Sequence, residues 1–257
     1  MSNVIIGVLI PFLGTTLGSG LVFFMRKKEI NKKVQKLLLG FAAGVMMAAS
    51  MWSLLMPALD MTAGKFAWVP VAVGFMLGII FLLILDTLVP HQHLETKKAE
   101  GLESNFKKTT KLVLAVTIHN IPEGMAIGVA FGSLASSSAS MNTVGALMLA
   151  LGIGIQNFPE GAAVSLPLRR EGYSRFRSFM IGQASAIVEP IAAIIGVILA
   201  MSIKSILPIL LSFASGAMIV VVARELLPES VKENKNLSTI GLIGGFVLMM
   251  ILDVALG

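Results

Sequence analysis

Eight stretches of the chain are apolar enough and long enough to cross a bilayer as helices: roughly residues 4–25, 37–59, 66–89, 112–134, 144–168, 179–203, 206–227 and 237–256. A hydrocarbon core of about 30 Å is spanned by about 20 helical residues. Composition agrees, with 56% hydrophobic and 13% charged residues and a mean hydropathy of +0.88. Soluble domains lie nearer half apolar and a quarter charged. The expected fold class is therefore an all-α membrane protein with eight transmembrane helices, forming one transmembrane domain over residues 1–257. The connections are short apart from a charged loop at 90–111, which leaves no room for a separate soluble domain.

The net charge of +6 raises the question of a nucleic-acid partner, and the placement of the charges answers it. Counting Lys and Arg by loop, the first holds six, the third five, the fifth four and the seventh three. The remaining two, Lys65 and Lys204, lie in loops on the opposite side. Such a bias marks the odd-numbered loops as cytoplasmic and places both termini outside. The charge is a topology signal, and no nucleic-acid footprint is expected. The opening MSNVIIGVLIPFLG lacks a basic leading segment and reads as a retained first span rather than a cleaved signal. The chain has no cysteine, so disulfides and thiolate ligands are excluded and a bound metal must be held by N and O atoms.

Within this apolar background two hexapeptides stand out, HNIPEG at 119–124 and QNFPEG at 156–161. In the first, His119 and Glu123 are four residues apart and Asn120 and Glu123 three apart, so all three share one helix face. Gln156, Asn157 and Glu160 repeat the spacing in the next span. The sixth span adds Glu189, next to Pro190. All three glutamates fall near the middle of their spans, where a charge costs about 2.5–3.5 kcal/mol on insertion scales. No Lys or Arg lies at that depth, so a divalent cation is the expected partner. Pro122 and Pro159 each remove a backbone donor, and are expected to loosen their helices and free carbonyl oxygens. Irregular backbone at this depth is acceptable where it lines a polar cavity.

Carboxylate, imidazole and amide oxygen without thiolate suit Zn²⁺, Fe²⁺, Mn²⁺ or Co²⁺. Three carboxylates also allow two ions bridged by Glu123 and Glu160. The bland alternative is that polar groups in spans join helices by hydrogen bonds; it fits Gln183 and Asn142 and competes evenly for Gln156. A proton relay is the stronger rival for the carboxylates and His119. The paired asparagines favour metal, because an amide oxygen can ligate but cannot titrate.

The second and seventh spans echo one another. GFAAGVMMAASMWSLLMPA and SFASGAMIVVVARELLPES align Phe41 with Phe213, Gly44 with Gly216 and Met46 with Met218, and, after one gap, Pro57 with Pro228. The two spans run in opposite directions, as do those carrying the hexapeptides. An inverted repeat around a midplane site is a recurrent transporter architecture.

With both hexapeptides and the Glu-Pro of the sixth span in place, the chain resembles the ZIP family of divalent metal transporters, in particular its bacterial GufA-like branch. The likeness extends over the whole chain. It implies a 3+2+3 arrangement of the eight helices, a bacterial inner-membrane location with both termini extracytoplasmic, and metal movement toward the cytoplasm. Zinc is the first expected cargo, with Cd²⁺, Fe²⁺ and Mn²⁺ also within the class. The resemblance implies a binuclear centre, one site built from His119, Glu123 and Glu160 and the neighbouring one from Asn120, Glu123, Asn157, Glu160 and Glu189. Met46 is implied beside the first site. Gln156 and Asn157 stand where many relatives carry His and some carry Asp, which lowers the charge and leaves metal preference open.

Outside the centre, Asp60 and Asp253 are expected at the outer mouth, and Asp86, His91, His93 and Glu229 at the inner one. Closely spaced His91 and His93 read as weak metal handling, whereas Glu225 reads as a local ion pair with Arg224. A homodimer is expected only on the general habit of transporters. Two other function classes remain in view. An intramembrane metalloenzyme would want a second histidine, as in HExxH or paired ExxH motifs, and neither occurs. A carrier of an organic solute would want aromatic or Arg contacts at depth, and the fourth and fifth spans contain neither Trp nor Arg there. No GxxxxGKS or GxxxxGKT phosphate loop is present, so ATP is not expected to drive the process.

Overall fold

The computed structural model describes residues 2–25, 31–92, 99–134, 142–232 and 234–256. Among them the elements are helical, with one isolated β-bridge between His91 and Glu100. In chain order the α-helices are α1 Ser2–Phe24, α2 Lys32–Ala48, α3 Met56–Asp60, α4 Trp68–Leu88, α5 Lys108–Ser133 and α6 Thr143–Arg170. They continue as α7 Arg175–Ala184, α8 Val188–Ser202, α9 Leu207–Val221, α10 Leu227–Val231 and α11 Lys235–Ile251. Four starts are fixed by side-chain caps: Asn31, Asn142, Ser174 and Asn234 accept from backbone amides of α2, α6, α7 and α11. Such caps satisfy donors that the first helical turn leaves unpaired.

Seven helical stretches among the described residues are long and apolar enough to cross a membrane: Asn3–Phe24, Lys32–Asp60, Trp68–Leu88, Lys108–Ser133, Arg175–Ser202, Leu207–Val231 and Lys235–Leu256. The eighth stretch expected from sequence is the 28-residue α6, which is long enough but falls outside that set. Its Gln156, Asn157, Pro159 and Glu160 dilute an otherwise apolar helix.

The irregular backbone is not where the prolines suggested. α5 and α6 continue through Pro122 and Pro159, so each proline removes one hydrogen bond without breaking its helix. The departures are π-helical turns at Ala49–Leu55, Val222–Leu226 and Leu252–Leu256, and a turn at 185–187 that separates α7 from α8. The first two π segments lie in the aligned second and seventh spans, just where their alignment needs its gap. A π turn carries an extra residue, and the two segments differ in length, with seven and five residues.

Helices pair closely as α1 with α6, α5 with α8, α2 with α11 and α4 with α9. Glycines permit the approach. A Cβ on Gly245 of α11 would strike the carbonyl of Phe41 on α2, and one on Gly78 of α4 would strike that of Phe213 on α9. The closing glycines of the two hexapeptides act likewise. Gly124 lies on the carbonyl of Glu189, and Gly161 lies on that of Thr15 in α1. Small residues at such contacts let membrane helices pack backbone to backbone. α5 is largely interior, with 72% of its most apolar window buried, whereas α4 and α11 bury only 22% and turn apolar faces outward.

Gly124→Val is therefore expected to force α5 from α8 and to destabilise by about 1–3 kcal/mol, the usual range for overpacking. Gly244→Val, where nothing lies within 4 Å of the added carbon, is the matched control. Thermal melting of both variants in detergent checks the contrast.

Candidate metal centre

Three helices bring the polar residues together. His119, Asn120 and Glu123 are buried on α5, Gln156 and Asn157 are buried on α6, and Glu160 is half-buried one turn further along. Glu189 is buried in the first turn of α8. That turn follows the break after α7, so the carboxylate sits at a helix N-terminus, whose partial positive charge favours an anion. Pro190 is tolerated there because the first helical turn has no donor to lose.

Amides interleave with the carboxylates. Gln156 Nε2 donates to Glu123 Oε1 at 2.5 Å and to Asn157 Oδ1 at 3.2 Å. Asn157 Nδ2 donates to Glu189 Oε1 at 2.6 Å, and Asn120 Nδ2 donates to the Ser185 carbonyl at 3.0 Å. The donors run out before the acceptors do. Asn120 Oδ1, Glu123 Oε2, Gln156 Oε1, Glu160 Oε1 and Glu189 Oε2 are buried and take no hydrogen bond from the protein. Buried carboxylate and amide oxygens without donors are costly, and a hard or borderline cation is the species that such oxygens suit. Among the described residues no three His, Asp or Glu groups close around a single point; the oxygen-rich set here is a mixture of carboxylates and amides.

His119 has an acidic partner that its spacing did not indicate. Its Nε2 meets the carboxylate of Glu225, which sits on the π segment Val222–Leu226. The sequence reading of Glu225 as a local pair with Arg224 is thereby corrected. Arg224 points away, donating to Asp86 Oδ2 at 3.0 Å and lying 3.6 Å from Glu100. Glu225 was legible only as an acidic residue next to a basic one; the register of the π turn separates them.

A cavity of about 440 Å³ begins at this group. Met46, His119, Glu123, Gln156, Glu160 and Glu225 line its deep end, and Glu229, Lys32 and Arg170 line it further along. Lys32 begins α2 and Arg170 ends α6, and both are exposed, so the cavity reaches the face that carries the basic loops. The opposite half is packed, with Ala126, Ile127, Ala130, Leu149 and Ile153 fully buried. Lys36 is also fully buried near the open end, donating from Nζ to the Glu229 carbonyl at 2.7 Å. The charge count treated it only as a topology signal.

The mouth residues divide. Glu229 lines the cavity. Asp86 and His91 belong to a clasp instead: His91 Nδ1 lies 2.8 Å from the Val89 carbonyl, and Nε2 lies 3.9 Å from Asp86. Backbone bonds of 3.0 and 2.8 Å pair His91 with Glu100. His93 lies outside the described residues. Asp60 is exposed at the end of α3, away from the buried group. Ser53 Oγ donates its one proton to the Asp253 carboxylate, 2.7 and 2.8 Å from its two oxygens, joining the end of the last span to the π segment of the second.

Taken together, a helical bundle of membrane-spanning elements with a buried carboxylate, amide and imidazole group defines a multi-pass membrane protein built to handle a cation. The ZIP zinc transporter family model matches residues 94–253. The chain is similar to "Zinc transporter GufA" of Myxococcus xanthus, at 38% identity over 252 positions covering 95% of this chain and 96% of the relative. It is similar to "Zinc transporter ZIPB" of Bordetella bronchiseptica, at 38% over 259 positions and 98% and 81% coverage. Human "Zinc transporter ZIP11" matches at 36% over 324 positions, with 95% and 94% coverage. The chain belongs to the ZIP family, and this is a family of transporters, not enzymes.

The absence of native cysteine makes the cavity directly testable. Leu39→Cys, on the cavity wall, is expected to react with a membrane-impermeant thiol reagent from the basic-loop side. Ala130→Cys, in the packed half, is expected to resist it from either side.

Proposed function

We propose that this protein moves divalent transition-metal ions, zinc foremost, across the membrane without ATP and toward the basic-loop face. The observation that carries the reading is the set of buried acceptor oxygens on Asn120, Glu123, Gln156, Glu160 and Glu189 that the protein leaves without donors, at the base of a cavity reaching one face. Glu123 and Glu160, on facing helices, are suited to bridge two ions, with His119 and Met46 toward one and Asn120, Asn157 and Glu189 toward the other. Glu225 and Glu229 continue the acidic lining outward and give a departing cation successive partners. Cd²⁺, Fe²⁺ and Mn²⁺ fall within the same N/O chemistry. The relatives' names, zinc transporters throughout, support zinc as cargo.

The proposal includes α6 as an eighth span and treats residues 1–257 as one domain with both termini on the outer side of a bacterial inner membrane. Three outer spans at each end of the chain would flank the pair α5 and α6. The matching glycine contacts at Phe41 and Phe213, the very residues that align between the second and seventh spans, support an inverted repeat. Association into a homodimer is part of the expectation and carries no weight in the mechanism.

The test is uptake of Zn²⁺ and Cd²⁺ into proteoliposomes without nucleotide, comparing the wild type with Glu123→Ala. Uptake by the wild type that falls at least about tenfold in the variant, the scale on which metal-site partners act, is the expected result. Wild-type protein that binds metal without moving it would overturn the reading.

A further inference from the structure

Hydroxyl side chains in apolar helices commonly bond back to a carbonyl one turn earlier, and Thr16, Thr117, Ser133, Ser185 and Ser212 all do so in this chain. Thr15, Ser165 and Ser178 do not. All three are fully buried and their hydroxyls have no protein partner. They stand on α1, α6 and α7, which meet along one seam. At Gly182 of α7 an added Cβ would run into both the Ser19 side chain and the Ser165 Cβ, so these two side chains point into the same notch. Thr15 is one turn from Ser19 on α1, and Ser178 is one turn from Gly182 on α7. Ser19 Oγ reaches the Gly161 carbonyl only at 3.2 Å.

The seam has two ends. At depth, Gly161 follows Glu160 and lies on Thr15, while Ser185 holds Asn120 through its carbonyl and precedes Glu189 by one turn. At the other end, Ser178 lies in the first turns of α7, beside the basic fifth loop. Apolar clusters flank it: Val22, Ala162 and Leu166 on one side, and Val116, Val164 and Leu168 on the other. None of Thr15, Ser19, Ser165 or Ser178 lines the 440 Å³ cavity.

We propose that ordered water binds in this seam, bridging the hydroxyls of Thr15, Ser19, Ser165 and Ser178. Buried hydroxyls lacking protein partners are the groups that internal water satisfies, each molecule making about three hydrogen bonds. The seam then forms a narrow wet route from the midplane group to the basic-loop face, separate from the wide cavity. Resting on the transport reading above, its use is to exchange water with the site while a cation blocks the cavity, as the ion sheds and regains its hydration shell.

Removing a hydroxyl that water bridges breaks bonds, whereas removing one that has no partner is neutral or stabilising. Thr15→Val and Ser165→Ala are each expected to lower the melting midpoint by about 2–4 °C; unchanged or raised midpoints overturn the proposal. A second measurement avoids dependence on stability. Ser165→Cys is expected to react with methyl methanethiosulfonate while Val164→Cys, in the adjacent apolar cluster, stays inert; equal behaviour of the two overturns the water seam. In proteoliposomes, Ser165→Ala is expected to slow zinc uptake several-fold with Cd²⁺ binding unchanged, and unaltered uptake removes the proposed role. Should the wild type move no metal at all, the transport reading falls, while melting and thiol labelling still decide whether water occupies the seam.

Discussion

The burial of carboxylates in an apolar bundle is the constraint on which the other features depend. Glu123, Glu189 and Glu225 are buried, and Glu160 half-buried, among helices whose outer faces carry Ile, Leu, Val and Met. Each charge at such depth costs a few kcal/mol. Lys36 caps the Glu229 carbonyl, and Arg224 ties Asp86 and Glu100. The protein answers with amides, setting Gln156 on Glu123 and Asn157 on Glu189. Amide donors ease the cost without cancelling charge, so a cation entering the group gains where the protein alone cannot.

Close helix contact makes this arrangement possible. Gly124 and Gly161 each follow a glutamate of the hexapeptides and seat α5 on α8 and α6 on α1 without intervening side chains. Glu123 is thereby held at the depth of Glu189. The same device joins α2 to α11 and α4 to α9. The π turns add a second kind of control, since an extra residue per turn rotates Glu225 inward to His119 and leaves Arg224 facing the clasp. Local departures of this kind concentrate at functional positions.

Much of this was legible in the sequence, for identifiable reasons. Apolar length announced seven of the eight expected spans. The spacing within HNIPEG and QNFPEG was enough to put their polar residues on shared faces, because helical periodicity survives a proline that removes only one bond. Three features were not legible. Pro122 and Pro159 suggested loosened helices, whereas α5 and α6 run on through them and the departures fall at 185–187, at Leu252–Leu256 and in the π turns that precede Pro57 and Pro228. Glu225 looked paired with its neighbour because sequence adjacency says nothing about a π turn. The final glycine of each motif reads as a flexible residue until its contact with a facing carbonyl is seen. Sequence could not place the ring of His91 either: its Nδ1 lies against the Val89 carbonyl and its Nε2 3.9 Å from Asp86.

The account stands or falls on a divalent cation taking up the oxygens of the buried group. The most direct measurement is zinc K-edge absorption spectroscopy on purified, zinc-loaded protein, comparing the wild type with a Glu123→Ala, Glu160→Ala double variant. The account predicts bound zinc in a shell of oxygen with one imidazole nitrogen, lost in the double variant. Zinc held equally well by both proteins, or a wild type that retains none, would contradict it.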